Sequence, residues 1–184
     1  MSSDKLHFET LQIHGGYHVD QSQARGIAIH PTAAYHFPSC DYAANLFTLS
    51  EPGYIYTRLH NPTTAAYEER IAALYGGVGA LATSSGMSAI LLTVTSLAKQ
   101  GDNIVTSPYL YGGTHNQFVI SLRNLGIDFR MATSDNAQDM AGLIDDKTRA
   151  IFVESMGNPT CRVADIEALA ELAHSHNIPL VVDN

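Results

Sequence analysis

Ala150-Ile151-Phe152-Val153-Glu154-Ser155-Met156-Gly157-Asn158-Pro159 is the stretch on which the fold turns. An unbroken apolar run closes on a carboxylate, and Gly157 and Pro159 then stop regular structure. A strand of this kind has no polar face. Both its faces must be covered, which is the habit of parallel sheets with helices on either side. Ile178–Val182, with the carboxylate Asp183 behind it, repeats the pattern. Between the two, Asp165 caps a helix in which Ile166, Leu169, Ala170 and Ala173 share a face. Strand, helix and strand in that order make a βαβ unit.

Working upstream, the alternation continues. Strands are expected over Val78–Ser84, Asn103–Thr106 and Ile127–Ala132, and helices over Gly86–Lys99, Gly113–Asn124 and Gln138–Ile144. Gly101 and Gly126 stand just past helix ends, where a left-handed residue closes the last turn. A further helix starts at Pro62, carries Tyr67, Ile71, Leu74 and Tyr75 on one side, and stops at Gly76-Gly77. The prediction is an α/β domain over residues 61–184, with a mostly parallel sheet and helices on both faces. Residues 1–60 hold no sustained period and are rich in His, Tyr, Gly and Pro. They read as an irregular arm that needs another surface to pack on. The chain stops directly after a buried-type strand, at the edge where open α/β sheets place ligands, so a fragment is expected.

At 184 residues the chain is long enough for a real core. Its 10 basic against 18 acidic residues give a formal charge of −8, which argues against a nucleic-acid surface. No apolar stretch is long enough to span a bilayer, and residues 1–9 lack a signal-peptide core. Cys40 and Cys161 are too few for a disulfide framework, so a reducing cytoplasm is the expected setting. The pairs His14/His18 and His174/His176 have no carboxylates or cysteines in a metal-binding order, so no metal site is expected.

Five places could carry chemistry. Ser84-Ser85-Gly86-Met87-Ser88 opens a helix whose free N–H groups suit a phosphate, although an ordinary serine-capped start is the commoner use. In Tyr54-Ile55-Tyr56-Thr57-Arg58, an arginine two residues after a tyrosine can clamp an anion; taken alone it reads as a surface arginine beside packed tyrosines. Tyr109-Leu110-Tyr111-Gly112-Gly113 lies at a strand-to-helix junction, where a ring can stack on a flat ligand or simply pack. Pro159 pushes Asn158 into an extended conformation at a strand end, in what is otherwise a plain turn. Asp183 puts a carboxylate at the ligand edge of the sheet, or caps whatever follows.

The order of these signals is more specific than any one of them. Through YTRLHNPT, SSGMSAI, YLYGGT, ESMGNP and PLVVDN, the chain from about Phe8 to Asn184 resembles the cysteine/methionine-metabolism family of pyridoxal-phosphate (PLP) enzymes. That resemblance implies the large domain of a fold-type-I PLP-dependent transferase. It implies that Gly86 and Met87 give N–H groups to the cofactor phosphate and that Tyr56 and Arg58 bind the phosphate of a neighbouring subunit. Tyr111 would stack on the pyridine ring and assist proton transfers, Asn158 would approach the ring hydroxyl, and Asp183 would pair with the ring nitrogen. Homotetramers built from dimers with shared sites are the implied assembly. YAANLF at 42–47, GYIYTR at 53–58 and ESMGNP look most like the O-acetylhomoserine sulfhydrylase branch, whose substrates are an amino acid and sulfide or a thiol. Gly113 stands where methionine gamma-lyases tend to carry cysteine, whereas Met87 is the lyase-like choice. Cystathionine gamma-synthase, a gamma-lyase and a non-catalytic fragment are the alternatives. The family's Schiff-base lysine has no counterpart here, because Lys5, Lys99 and Lys147 all fall away from the ligand edge.

Overall fold

The computed structural model describes residues 6–184, which divide into two compact units between Ala82 and Thr83. The first unit carries α1 (Phe8–His14), α2 (Cys40–Phe47) and α3 (Pro62–Tyr75). α3 has the expected ends. The Asn61 side chain accepts the Thr63 N–H at 2.8 Å, Pro62 lies in the first turn, and Gly76 closes the helix at φ 62°. Buried Asn61 also donates to the His30 carbonyl and to Thr57 Oγ1, each at 3.0 Å, tying three segments together.

α1 and α2 replace part of the irregular arm expected over residues 1–60. Ser39 starts α2 by accepting the Tyr42 N–H at 3.1 Å. Each helix is only two turns long, too short to show a period in the sequence. The boundary between the units also falls later than 60, because the arm is tied to α3. Arg70 Nε donates to the Gly15 carbonyl at 2.7 Å. A Cβ on Gly16 would sit 2.1 Å from the Ala66 carbonyl oxygen, so the backbone after α1 passes flush against α3. This unit has little core of its own. Leu46, Ala65 and Ala66 are its buried apolar residues among those described, while Ile29, Leu49 and Leu59 are exposed.

The second unit runs through α4 (Gly86–Leu97), β1 (Asn103–Thr106), α5 (Gly112–Asn116), β2 (Asp128–Met131), α6 (Ala137–Ala141), β3 (Thr148–Glu154), α7 (Ile166–Ser175) and β4 (Leu180–Asp183). All strand pairs are parallel, in the order β2-β1-β3-β4. Alternate strand residues feed two cores, as the period of two requires. Ile104, Ala150 and Phe152 pack with Ile90, Val94 and Phe118 on one face. Val105, Ile151 and Val153 pack with Met140, Leu169 and Ala173 on the other. Helices therefore cover both faces, as the apolar runs at 151–154 and 178–183 require.

Two details depart from expectation. No strand forms over Val78–Ser84, where Val78 and Leu81 are exposed. An apolar run becomes a strand only where a neighbour takes its N–H and C=O groups, and this one has no ladder among the described residues. The helix expected over Gly113–Asn124 changes type along its length: α5 gives way to a π-helical turn over Gln117–Leu122 and a 3₁₀ turn over Arg123–Leu125.

Candidate active site

The strand order fixes where a ligand belongs. The chain leaves β1 toward β2 on one side and reaches β3 on the other, so the order reverses between β1 and β3. In open α/β sheets the crevice outside the carboxyl ends of such strands is the ligand site. The segment after β1 and the segment after β3 meet there. A Cβ on Gly157 would lie 2.7 Å from Tyr109 Cβ and 3.1 Å from its carbonyl oxygen, so the β3 loop presses directly on the β1 loop. Arg162 locks the arrangement: its guanidinium lies 4.9 Å above the Tyr109 ring and donates to Asp135 Oδ1 at 3.0 Å.

Around this crevice stand the residues singled out in the second unit. Tyr111 precedes α5 and is 52% exposed, leaving a ring face free for stacking. Asn158 is exposed in the β3 loop, and its bond to Pro159 is cis. Asp183 ends β4 in register with Glu154 at the end of β3. The Ser155 N–H donates to the Asp183 carbonyl at 2.8 Å and carries the ladder one residue further.

Gly86 and Met87 open α4, which runs back toward the amino end of β1 and so starts at the carboxyl edge. Ser85 caps it, accepting the Ser88 N–H at 3.1 Å. The N–H groups of Gly86 and Met87 have no acceptor within the helix. Nothing lies within 4 Å of a Cβ built on Gly86, so the space beside this residue is open. The Met87 side chain packs against the core, and its carbonyl accepts from Gln117 Nε2 at 3.1 Å, which joins the π-helical turn to the start of α4.

Tyr56 and Arg58 lie in the first unit and are held to each other. Tyr56 forms an antiparallel bridge with Ala34, and the Arg58 guanidinium sits 5.0 Å above its ring. Among the described residues no carboxylate pairs with Arg58, so its donors remain available to an anion.

Glu154 is the residue that sequence reasoning passed over as the last letter of a strand. It is 8% exposed, and Oε1 accepts the Tyr111 N–H at 2.7 Å. Burial pushes its carboxyl above the usual range. The neighbouring Asp183 adds to the rise, while the Tyr111 N–H and the Thr114 hydroxyl oppose it. A carboxylate closing a strand with no other polar side chain past Arg149 was the available signal.

A flat phosphorylated ring fits this set of groups. Unpaired N–H donors at a helix start, beside a glycine with open space around it, suit a phosphate. An exposed phenol ring offers a stacking face, and the Asp183 carboxylate matches a protonated ring nitrogen. Lys99 and Lys147 stand at the opposite, amino edge, where the Lys99 N–H donates to Asp102 Oδ2 and the Lys147 carbonyl accepts from the Asn103 N–H. Lys5 lies outside the described residues.

The fold and the edge define a fold-type-I α/β enzyme domain of the cofactor-binding kind. The chain belongs to the Cys/Met metabolism PLP-dependent enzyme family, which matches residues 9–184. It is 49% identical over its whole length to a homocysteine synthase of Schizosaccharomyces pombe, covering 43% of that protein. It is also 49% identical, over 97% of its length, to O-acetyl-L-homoserine sulfhydrylase 1 of Thermus thermophilus, again covering 43%. A crystal structure of a Campylobacter jejuni protein assigned as an O-acetylhomoserine (thiol)-lyase, which holds a pyridoxyl-lysine phosphate, superposes with a TM-score of 0.94 at 38% identity. That match covers 98% of this chain and 44% of the other. The chain thus spans less than half the length of these relatives. None of its described helices is long and apolar enough to cross a membrane.

Proposed function

We propose that the protein carrying this chain performs γ-replacement on O-acetyl-L-homoserine, exchanging acetate for sulfide or a thiol to give homocysteine or methionine. The observation that supports this is the near-half identity, along the whole chain, to relatives named homocysteine synthase and O-acetyl-L-homoserine sulfhydrylase. When bound, PLP supplies the electron sink for the pair left at the substrate carbon as its proton departs.

The chain's own residues prepare that chemistry. The N–H groups of Gly86 and Met87 bind the phosphate at the positive end of α4. Asp183 keeps a proton on the ring nitrogen. Tyr111 lies over the ring, excludes water from that face, and moves a proton at its phenolic oxygen. Asn158 donates to the ring hydroxyl. Tyr56 and Arg58 reach the phosphate of a neighbouring subunit, with residues 1–60 as the arm that packs there, so that dimers share sites within a homotetramer. The free, exposed thiols of Cys40 and Cys161 fit a reducing compartment such as the cytoplasm.

The test supplies the purified protein with PLP, O-acetylhomoserine and sulfide. Equal amounts of acetate and homocysteine are expected, at a rate that follows cofactor occupancy. Formation of 2-oxobutanoate and ammonia without sulfide would turn the reading to a γ-lyase, and cystathionine formation from cysteine to the corresponding synthase. Cofactor binding with no turnover would favour a non-catalytic chain.

A further inference from the structure

Resting on that reading of the site, we propose that Glu154 is the positioning residue for Tyr111: its carboxylate anchors the backbone from which the ring is presented. Glu154 is nearly buried at the switch point, where burying an unpaired carboxylate is costly. No cation pairs with it among the described residues, and its neighbour across the ladder is a second carboxylate, Asp183. What it does have is the Tyr111 N–H, at 2.7 Å. Tyr111 begins α5 without any side-chain cap, so the Glu154 bond supplies the fixed point that helix start otherwise lacks.

The ring itself is not held by burial, since about half of it is exposed. It is bounded instead by Gly113, where even a Cβ would come 2.4 Å from Tyr111 Cε1. Backbone anchored on one side and ring limited on the other leave Tyr111 one direction to face. A stacking group needs its orientation fixed before the ligand arrives, because ordering it afterwards subtracts from binding. A nearly buried acid that costs stability, and whose short 2.7 Å bond goes to this amide, fits that need.

The experiment uses the full-length protein and its Glu154→Ala, Glu154→Gln and Glu154→Asp variants. Three quantities are read: hydrogen exchange at the Tyr111 amide, the visible circular dichroism of bound PLP, and the unfolding midpoint. Loss of a bond to a charged acceptor should speed exchange at Tyr111 by about 10- to 100-fold in Glu154→Ala. The dichroic band should collapse while PLP stoichiometry holds. Glu154→Gln keeps an acceptor oxygen at the same reach and should restore both, and Glu154→Asp, one methylene short, should not. Unchanged Tyr111 exchange in Glu154→Ala, or equal losses in Ala and Gln, overturns the inference. If the alanine variant fails to fold, Gln and Asp decide: the reverse order overturns it. No bound-PLP band in the unmodified protein would overturn the reading of the site itself, and the inference with it.

Discussion

Gly113 carries no side chain, and the Tyr111 ring occupies the space one would take. Gly113→Ala therefore sets two effects against each other. Alanine in a helix is worth about 1 kcal/mol over glycine, so the unfolding midpoint should hold or rise. The ring must move, and losing a stacked pair should weaken PLP binding by about 0.5–1.5 kcal/mol, measured by titration against the unaltered protein. Normal affinity together with an unmoved dichroic band would show that the ring tolerates the methyl. Glu154 yields a pH prediction. Its carboxyl is raised in the folded protein, first by burial and then by Asp183. The folded chain holds that proton more tightly than the unfolded one. The corresponding stability is complete below the ordinary carboxyl range and is lost as pH rises through the raised value. Urea midpoints should fall across that window, and Glu154→Gln should remove this part of the slope. The places of Tyr111, Asn158 and Asp183 could be read from the sequence because each lies at or a few residues past the end of a strand, on the ligand edge. The roles of Glu154 and Gly113 could not, because one shows only through a bond 43 residues away and the other through a contact with a neighbouring ring.

Among the elements, the helix after β1 carries much of one core face. Phe118 is fully buried in its π-helical turn, stacked on Phe129 at 4.1 Å and edge-on to Phe152 at 4.9 Å. Phe118→Ala should cost about 3–5 kcal/mol in denaturant unfolding, as large cavities in aromatic cores do. A cost under 1 kcal/mol would mean the neighbouring rings close the gap. β3 and β4 were legible because an apolar run between turn residues has few other uses in a chain this size, and β2, the charged Asp128–Met131, because it alternates as an edge strand does. The run over Val78–Ser84 looks similar in sequence, yet among the described residues it has no ladder, and pairing is a property of two segments rather than one. The π-helical turn was equally hidden. A single i→i+5 turn has no residue signature of its own, and only the hydrogen-bond ring marks it. α2 was hidden as well, because its eight residues give no period to read.

At the scale of the whole molecule, the proposed sharing of sites has a sharp test. If Arg58 serves a partner's phosphate, one defective copy can rescue another. Arg58→Ala and Asp183→Asn chains, each inactive alone, should regain activity on mixing, because half of the sites in a mixed dimer combine intact residues from both chains. Random pairing gives about a quarter of normal turnover for a two-fold dimer with shared sites. Mixing that restores nothing would place Arg58 at its own chain's site. The first unit adds a consequence. Among its described residues only Leu46, Ala65 and Ala66 are buried and apolar, which is the pattern expected of a unit that packs on a second surface. If that surface is another copy, maturation is an encounter between two molecules, and its rate depends on the square of their number. Recovery after dilution from denaturant would then fade steeply at low protein concentration. In a cell, catalytic capacity would respond more than proportionately to gene dosage, so that a modest fall in synthesis leaves a disproportionate share of chains waiting for a mate.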